Sequence, residues 1–317
     1  MGLWTRRWTQ LCLTLLHFAS MNSKPKPLLA VAEIWRVEAA GLKLERGFYG
    51  AYSELLKTRV NKRFDVGEGL PGRVAQTKTP LLSPLAEPEF AGLDAVIALP
   101  FMPKGEVEAV VVMFFAVDEG KLAAEFWEPS ALGTLSAAQS IYVNLEGFAS
   151  QSEGSSFAVL EGLPSRAFDH KEAVLLSALN PESGFVRSQA AAAAGLDAAL
   201  GLPILNADKV TGSLLLFTSV DSPLFAVLEH WRFKRSKLEL VTGVYSDPSL
   251  KTDTTFKAGE DLVGQAYTQK RPILLTSLAP GSGFARAEAA TAAGLKTALA
   301  LPIMRKNRVT DVVVVIA

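Results

Sequence analysis

The sequence predicts an α+β protein of three tandem units, each a mainly antiparallel sheet with helices packed on its faces, and three observations predict it. A Glu stands two residues before each of Trp35, Trp127 and Trp231, and a Tyr follows each Trp by 14 or 15 residues. Residues 180–205 and 279–304 then match almost continuously at a fixed offset of 99. Within each copy, period-two alternation of apolar residues indicates strands, and Ala-rich runs in the second and third copies indicate helices.

Each element of a unit follows from its own pattern. The run AVAEIWRV at residues 30–37 alternates as a strand with Glu33 and Trp35 on one face, and residues 42–49 form its hairpin partner. A variable helical stretch follows, and a Gly-Leu-Pro-Gly turn places Pro71 in the first turn of a short helix. A third strand precedes an Ala-rich helix that Gly195 terminates, and a hairpin of two apolar strands closes the unit.

The repeats divide the 317 residues into an extension and three domains. In residues 1–27, two arginines precede the short apolar stretch Leu11–Ala19, which is the outline of a weak signal peptide. We favour an upstream extension, with translation starting at Met21. Domains are expected at 28–119, an abbreviated copy, at 120–221 and at 222–317. The last ends on a Val-rich strand, which would favour association if it lay at a sheet edge.

Taken in order, these motifs resemble those of GAF domains. The resemblance rests on E-x-W, on G-x-G-L-P-G-R-V around Pro71, on F-x-R-x-x-x-A-x-x-x-G-L from Phe185, and on A-L-x-L-P-I before the closing strand. It covers residues 28–317 three times over. It implies an antiparallel sheet with helices on both faces and a small-molecule pocket roofed by variable helices and loops. Members of the family bind cyclic nucleotides, bilins, haem, amino acids or other metabolites, and they regulate an attached output domain or dimerise.

Composition argues against several of these chemistries. With 32 basic and 32 acidic side chains the formal net charge is zero, which argues against a general nucleic-acid binder. Cys12 is the only cysteine and lies outside the three copies, so no bilin attachment or thiol redox chemistry is expected. His170 and His230 stand at non-equivalent positions, so no haem or metal ligand set is expected. No apolar run reaches 18 residues, so no membrane association is expected, and the cysteine usage favours a cytoplasmic location.

Two arginines are the candidate ligand-binding residues. Arg187 and Arg286 follow Phe185 and Phe284 by two residues and start helices at the expected rim of the pocket. A guanidinium there can bind an anionic ligand through two parallel hydrogen bonds. The alternative, which is the commoner role of such an arginine, is a structural ion pair or a cap on a neighbouring loop. The Glu of each E-x-W also needs a hydrogen-bonding partner, and the sequence leaves open whether that partner is protein or ligand.

The functional prediction is a non-enzymatic module. No nucleophile and no acid–base set recurs between the copies, so no catalytic residue is expected. We expect a small-molecule-sensing or regulatory module with an unknown ligand and without a cofactor or metal, acting as a homodimer or on a separate signalling output protein. The alternative is a ligand-free scaffold in which side chains fill the pockets and the domains mediate dimerisation or protein–protein assembly.

Overall fold

The computed structural model describes residues 25–317, so the signal-peptide outline and the proposed start at Met21 lie outside the described residues. Across residues 25–317 the chain forms seven α-helices and three antiparallel sheets. The predicted α+β class is therefore confirmed, and the strands of the three sheets fall inside the three predicted segments. None of the helices described is both long enough and apolar enough to span a bilayer.

Unit 1 is a six-stranded sheet of order β3-β2-β1-β6-β5-β4. Its strands are β1 Leu29–Glu38, β2 Gly41–Phe48, β3 Arg63–Phe64, β4 Leu81–Pro84, β5 Ala95–Phe101 and β6 Ala109–Phe115. Its helices are α1 Ser53–Arg59 and α2 Gly69–Thr77. The predicted hairpin joins β1 to β2, and Gly41 opens β2 at a φ of 100°, a conformation that favours glycine.

Unit 2 repeats this order as β10-β11-β12-β7-β8-β9. Its strands are β7 Leu122–Pro129, β8 Leu135–Val143, β9 Ser156–Phe157, β10 Val174–Leu176, β11 Ala198–Asn206 and β12 Lys209–Thr218. Its helices are α3 Glu146–Ser152, α4 Gly162–His170 and α5 Ser188–Ala194. The Ala-rich α5 ends at Gly195, which adopts a left-handed φ of 68° as the sequence predicts.

Unit 3 is a five-stranded sheet of order β14-β13-β17-β16-β15. Its strands are β13 Val227–Lys234, β14 Lys237–Tyr245, β15 Ile273–Leu275, β16 Ala298–Arg305 and β17 Arg308–Ile316, and its helices are α6 Asp261–Gln269 and α7 Ala287–Ala292. The Val-rich closing strand β17 pairs with β13 on one side and β16 on the other. It is a central strand, so its backbone groups are not an open edge.

In units 2 and 3 the helices cover one face of the sheet, and the opposite face packs against the other units. In unit 2, Phe148 of α3 and Leu163 of α4 pack with Trp127 in one apolar cluster. Leu200 and Leu214 belong instead to a common core that takes in residues of all three sheets. The resemblance implied helices on both faces. Here the second face is as apolar as the first, and neighbouring units remove it from water.

The three units form a closed ring through equivalent contacts. Strand β4 of unit 1 lies against β7 and β8 of unit 2, β10 of unit 2 lies against β13 and β14 of unit 3, and β15 of unit 3 lies against β1 and β2 of unit 1. Strands β4, β10 and β15 hold the same place in their sheets. The arrangement therefore has approximate threefold symmetry within one chain.

Each junction of the ring carries a different polar contact. The contacts are hydrogen bonds of the Gln139 side chain to the backbone of Pro80 and Leu82, an ion pair of Glu172 with Arg232, and an ion pair of Arg271 with Glu45. Around the axis, the three Leu-Pro motifs of β5, β11 and β16 line an apolar hollow of about 80 Å³. The distinct contacts give each unit a defined neighbour, because no two junctions are chemically interchangeable.

Candidate functional site

A buried carboxylate stands at the same place in every unit, on the face of the sheet that carries the Trp. Glu33, Glu125 and Glu229 are 0–1% exposed. In each unit the Trp two residues later donates its indole Nε1–H to Oε2 of the Glu at 2.7–3.0 Å, and the Tyr donates its hydroxyl to Oε1 at 2.7–2.9 Å. We call each group a carboxylate cluster: Glu33, Trp35 and Tyr49; Glu125, Trp127 and Tyr142; Glu229, Trp231 and Tyr245.

In unit 2 an arginine fork completes the cluster. Arg187 donates from Nη1 to Oε1 and from Nη2 to Oε2 of Glu125, at 2.6 and 2.7 Å. Its Nη1 also donates to Oγ of Ser152, the last residue of α3. Five aromatic rings surround the guanidinium, with Cζ 5.0–5.8 Å from their centroids: Trp127, Phe148, Phe157, Phe185 and Phe217. The cation is thus paired, hydrogen-bonded and caged by protein.

Unit 3 has the same arrangement with fewer rings. Arg286 donates from Nη1 and Nη2 to the two oxygens of Glu229 at 2.7 and 2.8 Å, and its Nη1 also donates to the carbonyl oxygen of Leu250 at 2.9 Å. Phe284 lies 5.5 Å from Cζ. The side chains of Arg187 and Arg286 are only 8% and 10% exposed.

These contacts locate the four residues predicted to bind a ligand. Phe185 and Phe284 are buried beside the arginines, and both guanidinium forks are engaged by a protein carboxylate. The partner of the E-x-W glutamate, which the sequence left open, is protein in both units. Binding of a ligand by Phe185, Arg187, Phe284 and Arg286 stays a prediction, and the contacts observed are those of the alternative, the structural ion pair.

Unit 1 draws its cation from a different element. The abbreviated copy lacks the arginine-bearing helix, and Arg59, the last residue of α1, comes within 3.6 Å of Glu33 Oε1 through Nε. Arg59 follows Tyr49 by ten residues, as Ser152 follows Tyr142, so it stands where unit 2 has the hydroxyl that accepts from Arg187. Unit 1 thus has an arginine, Arg59, at the place of the Ser152 hydroxyl, and this arginine substitutes for the missing counterpart of Arg187. The substitution matters because a buried carboxylate without a cation is costly.

Burial controls the ionisation of these groups. Burial, reinforced by the adjacent carboxylate, raises the pKa of the Tyr49, Tyr142 and Tyr245 hydroxyls far above the ordinary value, so all three act as hydrogen-bond donors. Burial also raises the pKa of Glu33, and Arg59 and the Trp35 and Tyr49 donors oppose that rise without cancelling it. The unit 1 carboxylate is therefore incompletely compensated.

Beside the unit 1 cluster lies a cavity of about 190 Å³. Glu33, Arg59, Phe64 and Phe90 line it on the inside, and exposed charged residues line its mouth: Lys62, Glu68, Arg73, Glu87 and Glu89. Two larger cavities lie near the other clusters: one of about 240 Å³ is lined by Phe148, a ring beside Arg187, and one of about 310 Å³ is lined by Tyr245 of the unit 3 cluster. Neither of these two is lined by Arg187 or Arg286. In residues 25–317 no group of three or more His, Cys, Asp or Glu is placed to hold a metal ion.

Sequence reasoning missed Arg59. Its only signal is indirect: copy one keeps the E-x-W glutamate but has no arginine at the place of Arg187, so another cation had to be supplied. The order of motifs could not point to α1, because this stretch is the variable segment of the repeat.

No protein-family model and no curated protein matches the sequence. Among solved structures, the nlh2 GAF domain of A. aeolicus in an inactive state matches 30% of the chain at 18% identity with a TM-score of 0.26, over 58% of its own length. The GAF domain of a two-component sensor histidine kinase from Bacillus halodurans matches 29% at 22% identity with a TM-score of 0.25, over 63% of its own length. The chromophore-binding domain of Stigmatella aurantiaca bacteriophytochrome matches 92% at 10% identity with a TM-score of 0.31, over 87% of its own length. These three solved structures are two GAF domains and one phytochrome module, and each likeness is weak.

Proposed function

We propose that the protein is a non-enzymatic small-molecule-sensing module in which unit 1 binds the ligand and units 2 and 3 are structural. The observation that carries the proposal is the cavity of about 190 Å³ that reaches the carboxylate cluster of unit 1. A concave site with apolar walls and a few convergent polar groups is the usual form of a ligand pocket. This cavity is more polar than that form, because seven of its thirteen lining residues are charged, but Phe64 and Phe90 give it apolar walls and the buried Arg59 lies at its inner end.

A structural role for units 2 and 3 is supported by their arginines. In these units the arginine side chain itself occupies the place beside the buried glutamate. The Nη atoms of Arg187 and Arg286 donate three hydrogen bonds in each unit, to a carboxylate and to a further acceptor, whereas the Nε atom of each arginine is buried without a hydrogen-bond partner in the described residues. A ligand would have to displace an ion pair whose disruption leaves a buried charge unpaired, which costs about 3–5 kcal/mol. Unit 1 carries no such obstacle.

The ring offers a route by which binding in unit 1 would be reported. Its sheet shares an apolar core with the sheets of units 2 and 3, and packed interiors transmit displacement. The signal would pass to a second copy of the chain or to a separate output protein. The absence of a recurring acid–base set and the single cysteine support a non-enzymatic role in the cytoplasm.

The test is a thermal-shift screen with metabolites and nucleotides on the whole protein and on a matched pair of variants. Leu70→Trp places an indole ring at the cavity wall, whereas Leu163→Trp puts the same ring at the equivalent position of unit 2, which is fully buried. We expect a compound that stabilises the wild type in a saturable way. Leu70→Trp should remove the stabilisation by the compound. Leu163→Trp should lower the stability of the protein but leave the stabilisation by the compound in place. A broad panel without any saturable response would contradict the proposal.

The second candidate is the ligand-free scaffold, which the filled clusters of units 2 and 3 favour. It predicts no response to the panel together with oligomers whose population rises with protein concentration. Analytical ultracentrifugation over a range of concentrations distinguishes it from the sensing module.

A further inference from the structure

We infer that the unit 1 cavity takes a small monocarboxylate, bound through the Nη donors of Arg59; this rests on the proposed function of unit 1. The first step is the orientation of the guanidinium. In units 2 and 3 both Nη atoms point at the glutamate. In unit 1 the Nε atom of Arg59 lies nearest Glu33, at 3.6 Å from Oε1. The guanidinium of Arg59 is therefore oriented differently from those of Arg187 and Arg286.

The turned guanidinium has donors left over. Arg59 is 5% exposed, yet it donates no hydrogen bond to any of residues 25–317, whereas Arg187 and Arg286 each donate three. Of the Arg59 donors, Nε is fully enclosed without a hydrogen-bond partner, whereas the Nη atoms are not fully enclosed, and Arg59 lines the cavity. We therefore take the Nη atoms to be the donors that face the cavity. A buried cation with open donors is stabilised by a ligand that brings acceptor oxygens.

The geometry of the donors selects the chemical group. The planar fork of arginine matches the two oxygens of a carboxylate or of a phosphate, which it binds through parallel hydrogen bonds. An ammonium ligand is disfavoured at the same place, because it would lie against the Arg59 cation, and like charges at close range repel each other.

The mouth of the cavity separates the two anions. Two cations, Lys62 and Arg73, face three carboxylates, Glu68, Glu87 and Glu89, around the opening. This excess of negative charge opposes a phosphate dianion more than a singly charged carboxylate. A carboxylate that carries its own amine at the outer end would also be accommodated.

The walls and the size limit the rest of the ligand. Phe64, Phe90 and Phe114 line the cavity as apolar surfaces, so a short aliphatic or aromatic body would pack there. The volume of about 190 Å³ is well below the roughly 300–1,000 Å³ of sites for drug-sized ligands. The ligand class is therefore a small monocarboxylate with an apolar body.

The experiment uses one carbon chain with three head groups. Propanoate, propylamine and 1-propanol, together with inorganic phosphate, are titrated into the whole protein at constant ionic strength, with binding followed by calorimetry and thermal shift. Propanoate should bind in a saturable way and at least about tenfold more tightly than the other three, because it alone satisfies the charged fork without a second charge. Preference for propylamine, 1-propanol or phosphate would overturn the carboxylate assignment while leaving a ligand site in unit 1. No saturable binding of propanoate would also overturn it.

Two matched variants place the binding at Arg59. Arg59→Lys keeps the positive charge beside Glu33 but loses the fork, and it should weaken propanoate binding by about tenfold or more in a folded protein. Arg187→Lys makes the same change in unit 2 and should leave propanoate binding unchanged. Equal affinity in wild type and Arg59→Lys would overturn the assignment, as would an equal loss in both variants. Failure of every compound in the broad screen, by contrast, would remove the proposed function itself.

Discussion

Units 1 and 2 solve the same electrostatic problem with arginines from different elements. Both bury a glutamate under a Trp and a Tyr, but unit 2 neutralises it with Arg187, which precedes α5, and unit 1 with Arg59 at the end of α1. The comparison shows that both units keep an arginine beside the buried glutamate. The segment of the chain that supplies this arginine differs between them. The unit that takes its arginine from another segment is also the one whose cluster arginine and glutamate both line a cavity.

The difference has an energetic side. Glu125 accepts four hydrogen bonds from Trp127, Tyr142 and the Arg187 fork, whereas Glu33 accepts two and has Arg59 at a longer distance. The cluster of unit 2 should therefore contribute more to stability, and that of unit 1 should be more readily adjusted by a ligand.

The largest expected effect is the loss of the carboxylate in unit 2. Glu125→Ala leaves the Arg187 cation buried without its partner and should lower the free energy of unfolding by about 3–5 kcal/mol. Glu33→Ala should cost less, about 1–3 kcal/mol, because the Arg59 donors already face a cavity that admits water. Urea unfolding followed by circular dichroism measures both.

A double variant controls this comparison. Glu125→Gln combined with Arg187→Met removes both charges and should recover much of the loss, because no unpaired ion remains. Equal losses for Glu125→Ala and Glu33→Ala would contradict the difference between the clusters.

The next effect concerns the contact between the two units. Gln139 of unit 2 donates from Nε2 to the carbonyl of Pro80 at 2.8 Å and accepts from the amide of Leu82 at 3.0 Å. Gln139→Ala should lower the free energy of unfolding by about 1–3 kcal/mol through the two lost hydrogen bonds. Gln139→Glu keeps only the hydrogen-bond acceptor, so its free energy of unfolding should lie between those of the wild type and Gln139→Ala. An unchanged urea midpoint for Gln139→Ala would show that this junction does not stabilise the ring.

Unit 3 extends the comparison through a strained aspartate. Asp261 adopts a φ of 51° where units 1 and 2 have Gly69 and Gly162, and its Oδ2 has no hydrogen-bond partner within the described chain. Asp261→Gly should raise the free energy of unfolding by about 1–2 kcal/mol, because it removes a left-handed non-glycine residue and a buried carboxyl. Its Oδ1 accepts from the amide of Ala285, which is exposed and can bond to water instead.

The same variant has a pH signature. Burial raises the pKa of Asp261 above its ordinary value of 3.8. As the pH rises from 3.8 through the raised pKa, the unfolded chain releases this proton while the folded chain still holds it, so wild-type stability falls in that window. The gain from Asp261→Gly should therefore grow across the window and level off above it. A gain that is constant with pH would show that only the backbone strain was removed.

The smallest effect is a matched exchange of turn residues between units 2 and 1. Leu160 has a φ of 60°, whereas Gly67 holds the equivalent position in unit 1. Leu160→Gly should stabilise by about 0.5–1 kcal/mol, because release of left-handed strain exceeds the entropy cost of glycine. Gly67→Leu should destabilise by about 1–2 kcal/mol. Melting temperatures that move in the same direction would contradict the assignment of strain.

The sequence allowed much of each unit to be predicted and little of what joins the units. The hairpin at Glu33 and Trp35 and the end of α5 at Gly195 follow from local periodicity and capping. A structural ion pair of Arg187 was predicted as an alternative, but its partner Glu125 was not, because the sequence does not show which side chains meet across the sheet. The role of Arg59 could not be predicted, because it depends on the position of the last residue of α1 relative to Glu33 in the folded unit. The ring was not predictable either, because a strand that is apolar on both faces does not reveal what covers it.

We propose that the ligand binds at the cluster of unit 1, and the indole N–H signals of three tryptophans test this proposal directly. Trp35, Trp127 and Trp231 each donate Nε1–H to the glutamate of their own unit, so each signal reports on one cluster. In a ¹⁵N–¹H titration with propanoate, assigned with Trp→Phe variants, the Trp35 signal should shift in a saturable way while those of Trp127 and Trp231 stay in place. Shifts of Trp127 or Trp231 equal to that of Trp35, or saturable binding without a shift of Trp35, would contradict the account.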